Sequence, residues 1–143
     1  VNRGHAFAML ESQTETWPSA TDNKLKATFK GYQLNKAQQP TFGYQFGDIQ
    51  ISDQSLPGAS AKQFTRTITL EVPASAASSD SLYFRALSGG NVTAVSDREF
   101  TFDTLKVAVP KSDHPPFVRA NELLIPVPLT EGTHTIQITY TWN

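Results

Sequence analysis

The chain has 143 residues, and none of them is a cysteine. This absence excludes disulfides, thiolate nucleophiles, cysteine-ligated zinc, iron–sulfur clusters and c-type haem attachment. We therefore expect no cofactor in this chain, so any redox cofactor would belong to another domain. The lack of cysteine does not decide the compartment, since it suits an oxidising environment and the cytosol alike.

An excess of charge of one sign is also missing, because 12 basic and 13 acidic residues leave a net charge of -1. Without a basic field for phosphate backbones or anionic lipids, we do not expect nucleic-acid binding. The 143 residues show no signal-peptide pattern and no apolar run of membrane-spanning length, so we expect no membrane insertion. Its abrupt start at Val1 leads us to expect one part of a longer protein.

Hydrophobic residues make up 38% of the chain and charged residues only 17%, while Thr, Ser and Gln are abundant. This composition favours β-structure over a charged helical bundle. Residues 64–72 and 134–142 alternate apolar and polar side chains, which predicts two antiparallel strands with one buried face each. Arg66 interrupts the apolar row of the first strand. The residues predicted to point inward are Ile68, Leu70, Ile136, Ile138 and Tyr140.

Turn residues divide the rest of the chain into further short strands, about nine or ten in all, with no amphipathic helix. The pattern predicts a single domain over residues 1–143, an antiparallel β-sandwich, with a closed β-barrel as the alternative. Residues 121–143 are predicted to form a final hairpin around Glu131 and Gly132. Pro126 and Pro128 would mark a strand exposed at one sheet edge, because proline lacks the N–H that an interior strand needs.

No residue pattern identifies a reaction. His5, His114 and His134 lack metal-ligand spacing, so we expect no metal, and the purified domain should hold no stoichiometric zinc, copper or iron. No serine lies in a G-x-S-x-G elbow. Turn caps and solvated strand ends account for most of the acidic residues. A glycosidase pair could nevertheless form across a sheet from six of them, which are Asp48, Asp53, Glu71, Asp97, Glu99 and Asp103.

Five residues are candidates for ligand binding: Trp17, Tyr32, Tyr44, Arg66 and Arg85. Aromatic rings offer flat faces for stacking on sugars. Most aromatic residues of the chain are nevertheless expected in the core. Trp17 lies in a polar loop before a proline, where we expect its ring to plug one end of the sandwich rather than to bind a ligand.

The two candidate arginines lie inside predicted strands. An inward-facing guanidinium is costly unless it is paired with a carboxylate. We therefore expect Arg66 to lie at a sheet edge or to bond a carboxylate such as Glu71 or Asp103. A structural ion pair is the preferred interpretation over a clamp for substrate.

Several strings run through nearly the whole chain: RGHAFAMLES (3–12), FKGYQL (29–34), QPTFGY (39–44), FTRT (64–67), LYFRA (82–86) and LLIPV (123–127). Through these strings the chain resembles a β-rich region of large exported bacterial proteins that are common in Planctomycetes and Verrucomicrobia. There the region accompanies sugar-dehydrogenase-like propellers, c-type cytochrome domains or carbohydrate-related modules. The resemblance implies a periplasmic or secreted accessory domain and brings no catalytic residue with it.

The sequence leaves three hypotheses for the function. The leading one is a non-catalytic accessory or interaction module of an extracytoplasmic multidomain protein with redox or polysaccharide-active domains, whose partners are neighbouring domains of the same polypeptide. The alternatives are a carbohydrate-binding module that uses surface aromatics to bind polysaccharide, and a small metal- or carboxylate-dependent enzyme. An exposed coplanar aromatic pair would favour the carbohydrate binder, and a buried convergent set of histidines would favour the enzyme.

Overall fold

The computed structural model describes residues 7–9, 28–34, 36–58, 62–79, 81–119 and 121–142. These residues form short and medium strands joined mostly by turns. The strands are β1 (Phe7–Met9), β2 (Thr28–Leu34), β3 (Pro40–Phe46), β4 (Ile49–Pro57), β5 (Gln63–Val72), β6 (Ser81–Leu87), β7 (Val92–Ala94), β8 (Glu99–Phe102), β9 (Leu105–Lys111), β10 (Phe117–Arg119), β11 (Glu122–Pro128) and β12 (Gly132–Thr141). One turn of 3₁₀-helix spans Ala74–Ala76, and no α-helix lies in the described ranges.

The strands pair antiparallel in two sheets that do not close into a barrel. The small sheet has the order β1-β6-β11-β10, and the large sheet has the order β2-β3-β4-β5-β12-β9-β8-β7. Their facing side chains form one hydrophobic core. The predicted all-β antiparallel sandwich is therefore confirmed.

The two alternating strands that predicted the sandwich lie side by side in the middle of the large sheet. β5 pairs with β12 so that Ile68 is opposite Ile136 and Leu70 is opposite His134. Ile68, Leu70, Ile136, Ile138 and Tyr140 are all buried, as predicted. Each such side chain contributes about 1.5–3 kcal/mol when it leaves water.

The predicted final hairpin is wrong, because β11 belongs to the small sheet and β12 to the large one. Residues 129–131 carry the chain from one sheet to the other. β11 is buried on both faces from Leu123 to Val127, whereas β12 alternates between buried and half-buried positions. A continuous apolar run is typical of a doubly covered strand, so this difference was readable in the sequence.

The prediction of an exposed edge strand at Pro126 and Pro128 holds for the edge but is wrong about the exposure. β11 lies between β6 and β10, and Pro126 is buried. The prolines are tolerated because β10 pairs only with Glu122–Leu124. Beyond Leu124 the side of β11 that faces β10 has no strand partner among the described residues. The N–H groups that Pro126 and Pro128 lack would therefore have had no neighbouring strand to bond on that side.

The inner face of the large sheet is covered at one end and uncovered at the other. At the end we call the closed end, Ile49, Val72 and Leu129 are buried and Ala76 packs against the core. At the opposite end, the open end, Tyr32, Leu34 and Phe42 remain exposed. A bulge between Phe29 and Gly31 shifts the register so that Tyr32 is opposite Phe42 across β2 and β3, and the φ of 113° at Gly31 suits glycine.

Candidate functional site

A cleft of about 500 Å³ opens at the open end, between the inner face of the large sheet and the end of β6. This volume falls in the range of small-molecule sites, which runs from about 300 to 1,000 Å³. It combines aromatic walls with a charged floor. The side chains that define the cleft are Phe42, Tyr44, Asp53, Phe64, Arg66 and Tyr140.

Two pairs of rings form the walls of the cleft. On β3, Phe42 is 38% exposed and Tyr44 is half-buried. On the other side Phe64 and Tyr140, which are opposite each other on β5 and β12, stack with ring centroids 4.6 Å apart and an interplanar angle of 16°. Trp142 continues this row, with its ring centroid 5.7 Å from that of Phe64.

An ion pair between Arg66 and Asp53 forms the floor. The Arg66 Nε donates to Asp53 Oδ1 at 2.9 Å, and Nη2 donates to Oδ2 at 2.5 Å. The guanidinium also lies 5.1 Å from the ring centroid of Phe84 in the small sheet, close enough for a cation–π contact. The bidentate geometry fixes the orientation of both groups.

The partner predicted for Arg66 is wrong, while the prediction of a carboxylate partner holds. Glu71 is an odd number of residues away on the same strand, so it points to the opposite face, and Asp103 lies in the turn after β8. Asp53 is on the neighbouring strand β4, two residues from Ser55, which is directly opposite Arg66. This diagonal position on one face is within reach of a long side chain.

The ion pair also sets the protonation of the cleft. Burial acts to lower the pKa of Arg66, but the hydrogen bonds and charge of Asp53 outweigh it and raise the pKa further above its already high ordinary value. Burial raises the pKa of Tyr140, with the charge of Arg66 opposing the shift. The cleft therefore presents a permanent guanidinium and a neutral phenol at physiological pH.

The other predicted binding residues divide between the cleft and elsewhere. Tyr44 and Arg66 line the cleft, and Tyr32 lies beside it, with its ring centroid 6.1 Å from that of Phe42 and an interplanar angle of 49°. Trp17 lies outside the described residues. Tyr32 and Trp142 are exposed rather than in the core, where most aromatics were expected.

Arg85 lies on the other face of the small sheet, away from the cleft. Its Nη1 is 3.3 Å from Glu122 Oε2, and Arg119 Nε is 3.5 Å from Glu122 Oε1. Glu122 thus bridges two arginines from neighbouring strands. This arrangement fits the predicted structural ion pair and does not bring Arg85 together with Arg66.

A second polar cluster, at the closed end, contains a buried histidine. The Nδ1 of His134 hydrogen-bonds to the carboxylate of Asp113, and Nε2 donates to the carbonyl oxygen of Thr130 at 2.8 Å. Both ring nitrogens face acceptors, which favours the doubly protonated imidazolium. Burial acts to lower the pKa of His134, but the Thr130 carbonyl and Asp113 outweigh it, so the pKa is raised.

The same cluster has the residue types of a nucleophile, base and acid, because the Thr130 hydroxyl is 3.4 Å from His134 Nε2. A general base must offer a lone pair to the nucleophile. Here Nε2 carries its hydrogen toward the Thr130 carbonyl, so the cluster holds two chain segments together. No group of three or more His, Asp or Glu side chains within the described ranges is placed to hold a metal ion.

Phe64 and Tyr140 line the cleft but were not predicted to bind a ligand, and Asp53 was considered only as one of six acidic residues that could meet across a sheet. Phe64 and Tyr140 each stand in an alternating apolar row, which predicts core packing rather than a binding surface. Their role depends on where the small sheet ends, and no local pattern encodes that. Asp53 could have been found only from the register of β4 against β5.

Comparisons with known proteins identify no relative: no family model, no curated protein and no solved structure matches this chain. Within the described ranges, no helix is long and apolar enough to cross a membrane.

Proposed function

We propose that this chain is a non-catalytic accessory module of an extracytoplasmic multidomain protein and that it works by packing against a neighbouring domain of the same polypeptide. The observation that carries this proposal is an exposed apolar patch at the open end. It consists of Tyr32, Leu34 and Phe42, which are 61%, 49% and 38% exposed. The resemblance to accessory regions of large exported proteins supports the choice of partner.

The patch has the composition of a contact surface. Its side chains lie on the face of the large sheet that is buried elsewhere, so they extend the core outward instead of being scattered over the surface. Contiguous exposed apolar groups are typical of interaction sites, and aromatic residues are enriched at the centres of interfaces. Among the described strands β2 is also at the edge of the large sheet, so a partner could reach both its side chains and its backbone.

Hydrogen–deuterium exchange tests this proposal by comparing the isolated domain with the full-length gene product. We expect β2 and β3 amides to exchange more slowly in the longer protein, because a neighbouring domain covers them. Tyr32→Ser should reduce that protection. Val95→Ser is the matched control, because Val95 is 64% exposed in the turn after β7 and lies outside the patch. Equal exchange of β2 and β3 in both proteins would contradict the proposal.

Carbohydrate binding is a second candidate, and the cleft favours it. The exposed pair Tyr32 and Phe42 is tilted by 49°, so it does not offer the coplanar platform that would bind a flat sugar face. The cleft instead brings aromatic walls and hydrogen-bonding groups together in one concave space. Such a combination of apolar walls with a few placed polar groups is typical of small-molecule sites.

A further inference from the structure

We infer that the cleft is a binding site for an uncharged sugar ring, held between its aromatic walls and hydrogen-bonded by the Arg66–Asp53 pair. This inference rests on the second candidate function, carbohydrate binding, and names the chemistry of its ligand. It is carried by the composition of the floor, the reach of its polar atoms and the shape of the walls.

The floor favours a neutral ligand because its two charges are opposite and bonded to each other. The Arg66 and Asp53 groups are only 2.5 Å apart at their closest atoms. A ligand anion attracted by the guanidinium would be repelled by the carboxylate at nearly the same distance. A ligand cation would be attracted by the carboxylate and repelled by the guanidinium. Neither sign of charge gains much from entering the cleft.

The same floor suits hydroxyl groups. A guanidinium has five N–H donors and a carboxylate about four acceptor positions, so pairing with each other exhausts neither. The side chains of Arg66 and Asp53 keep 25% and 16% of their surface accessible. A sugar hydroxyl both accepts and donates, so adjacent hydroxyls can accept from Arg66 and donate to Asp53. Ser55, exposed on the same face of β4, adds a further hydroxyl at the rim.

The walls suit the apolar face of a sugar ring. Tyr44 on β3 and Phe64 on β5 are half-buried and line the cleft, while the buried Tyr140 stacks nearly parallel on Phe64 and supports its ring. Axial C–H groups of a pyranose pack on aromatic faces while its equatorial hydroxyls point sideways, so walls of rings and a floor of hydrogen-bonding groups match the two sides of such a ring. An aliphatic ligand would fit the walls but leave the floor unmatched.

A groove on the outer face of the large sheet is the competing location. It is lined by polar side chains such as Gln50, Ser52 and Thr69. These side chains supply hydrogen bonds, but Tyr32 and Phe42, which also line this groove, have their side chains on the inner face of the sheet. Among the residues that the structure describes, the outer groove therefore has no aromatic wall on which a sugar ring could stack, and we assign the binding site to the inner cleft.

Titration of the ¹⁵N-labelled domain with cellohexaose and xylohexaose, followed by NMR, tests this assignment. A galacturonic acid oligomer of similar length, titrated in the same way, serves as the negatively charged comparison ligand. We expect either neutral oligosaccharide to shift the amides of Tyr44, Ser55 and Arg66 and to bind at least tenfold more tightly than the acidic oligomer. The amides of Gln50 and Ser52 should shift less.

Single substitutions test which side chains contact the sugar. Tyr44→Leu keeps an apolar side chain but removes the ring, and should weaken binding roughly 5- to 150-fold, as loss of one aromatic stacking partner does in other ligands. Asp53→Asn should weaken binding while leaving a folded domain. Ser52→Ala is the matched control, because Ser52 precedes Asp53 on the opposite face of β4, and it should bind as the wild type does.

The outcomes separate the inference from the function on which it rests. Tighter binding of the galacturonic acid oligomer at the same amides would contradict the assignment of an uncharged ligand, but it would still support carbohydrate binding as a function. Shifts centred on the outer groove would overturn the assignment to the cleft. No shift at the cleft with either neutral oligosaccharide at millimolar concentration would overturn the inference, and no binding of any of the three sugars would also remove the second candidate function.

Discussion

The closed and open ends of the large sheet share one inner face but use it differently. At the closed end the chain segments after β5 and between β11 and β12 cover the face, so Ile49 and Val72 are buried. At the open end the same alternation of side chains leaves Phe42 and Tyr44 lining a cleft. Alternation along a strand thus decides which side chains point inward, whereas the connections between strands decide which of them are covered.

Each end also holds one pair of opposite charges, and the pairs differ in how they are built. His134 at the closed end binds Asp113 from the loop between β9 and β10, so it ties a connection to the sheet. Arg66 at the open end binds Asp53 on the adjacent strand and leaves both groups partly accessible. The first pair can stabilise a fold, while the second can also meet a ligand.

The largest expected effect comes from placing a charge in the covered part of the inner face. Ile138→Asp should prevent folding, because an unpaired buried carboxylate costs several kcal/mol, comparable with the whole stability of a small domain, about 5–15 kcal/mol. Thr139→Asp, one residue along and on the opposite face, should cost only about 1 kcal/mol. Circular dichroism and urea unfolding measure both, and a folded Ile138→Asp domain would contradict the assignment of the core.

Removing the charge of Asp53 should have the next largest effect. Asp53→Asn leaves the Arg66 guanidinium without its carboxylate in a partly buried site, which should lower the free energy of unfolding by roughly 2 kcal/mol, less than for a fully buried pair because water reaches both groups. Glu71→Gln, at an exposed position on the outer face, should change it by less than about 0.5 kcal/mol. Equal effects of the two substitutions in urea unfolding would show that the pair contributes nothing to folding.

The closed-end pair should make stability depend on pH. Because the pKa of His134 is raised in the folded state, its contribution is fully present below the ordinary value of 6.5 and is lost as the pH rises through the folded-state pKa. His134→Gln should therefore be destabilised relative to the wild type most strongly near pH 5, by about 1 kcal/mol given the half-exposed Asp113. The difference should shrink above pH 6.5.

Urea unfolding from pH 5 to pH 9 measures this dependence. Asp113→Asn is the control, since it removes the charge that faces His134 and should reduce the pH dependence, leaving the part that the Thr130 carbonyl contributes. A difference between wild type and His134→Gln that stays constant across the range would contradict the imidazolium assignment.

The smallest effect on stability is expected at the exposed patch. Tyr32→Ser should change the free energy of unfolding by less than about 0.5 kcal/mol, because Tyr32 is 61% exposed. Phe84→Ser, at a fully buried ring of the small sheet, should cost about 3–5 kcal/mol. A large loss of stability in Tyr32→Ser would mean that the ring supports the fold and that the open end is not a contact surface.

The fold class was predictable from the sequence because two strands, β5 and β12, alternate strictly and their inward residues are apolar apart from Arg66 and His134. The assignment of β11 to the small sheet was missed, although the unbroken apolar run from Leu123 to Val127 distinguishes it from the alternating β12. Turn chemistry at Glu131 and Gly132 suits a hairpin and a crossing between sheets equally well. Local patterns therefore predicted the strands better than their partners.

The cleft was only partly predictable. Tyr44 was selected as a possible binding residue because its ring offers a flat face for stacking. Arg66 was selected because an inward-facing guanidinium in a strand is costly unless it has a partner. Asp53 was not predicted as the partner of Arg66, because its position near Arg66 depends on the register between β4 and β5. The cavity itself depends on where the four-stranded sheet ends, which is a property of the whole chain.

Saturation-transfer NMR tests the binding role of the open end most directly. Irradiation of the aromatic protons of the wild-type domain should transfer saturation to the ring protons of cellohexaose, because the sugar would lie against the walls of the cleft. We predict that the transfer is strong in the wild type and in Ser52→Ala, and largely lost in Tyr44→Leu. Equal transfer in wild type and Tyr44→Leu, or none in the wild type, would contradict the account.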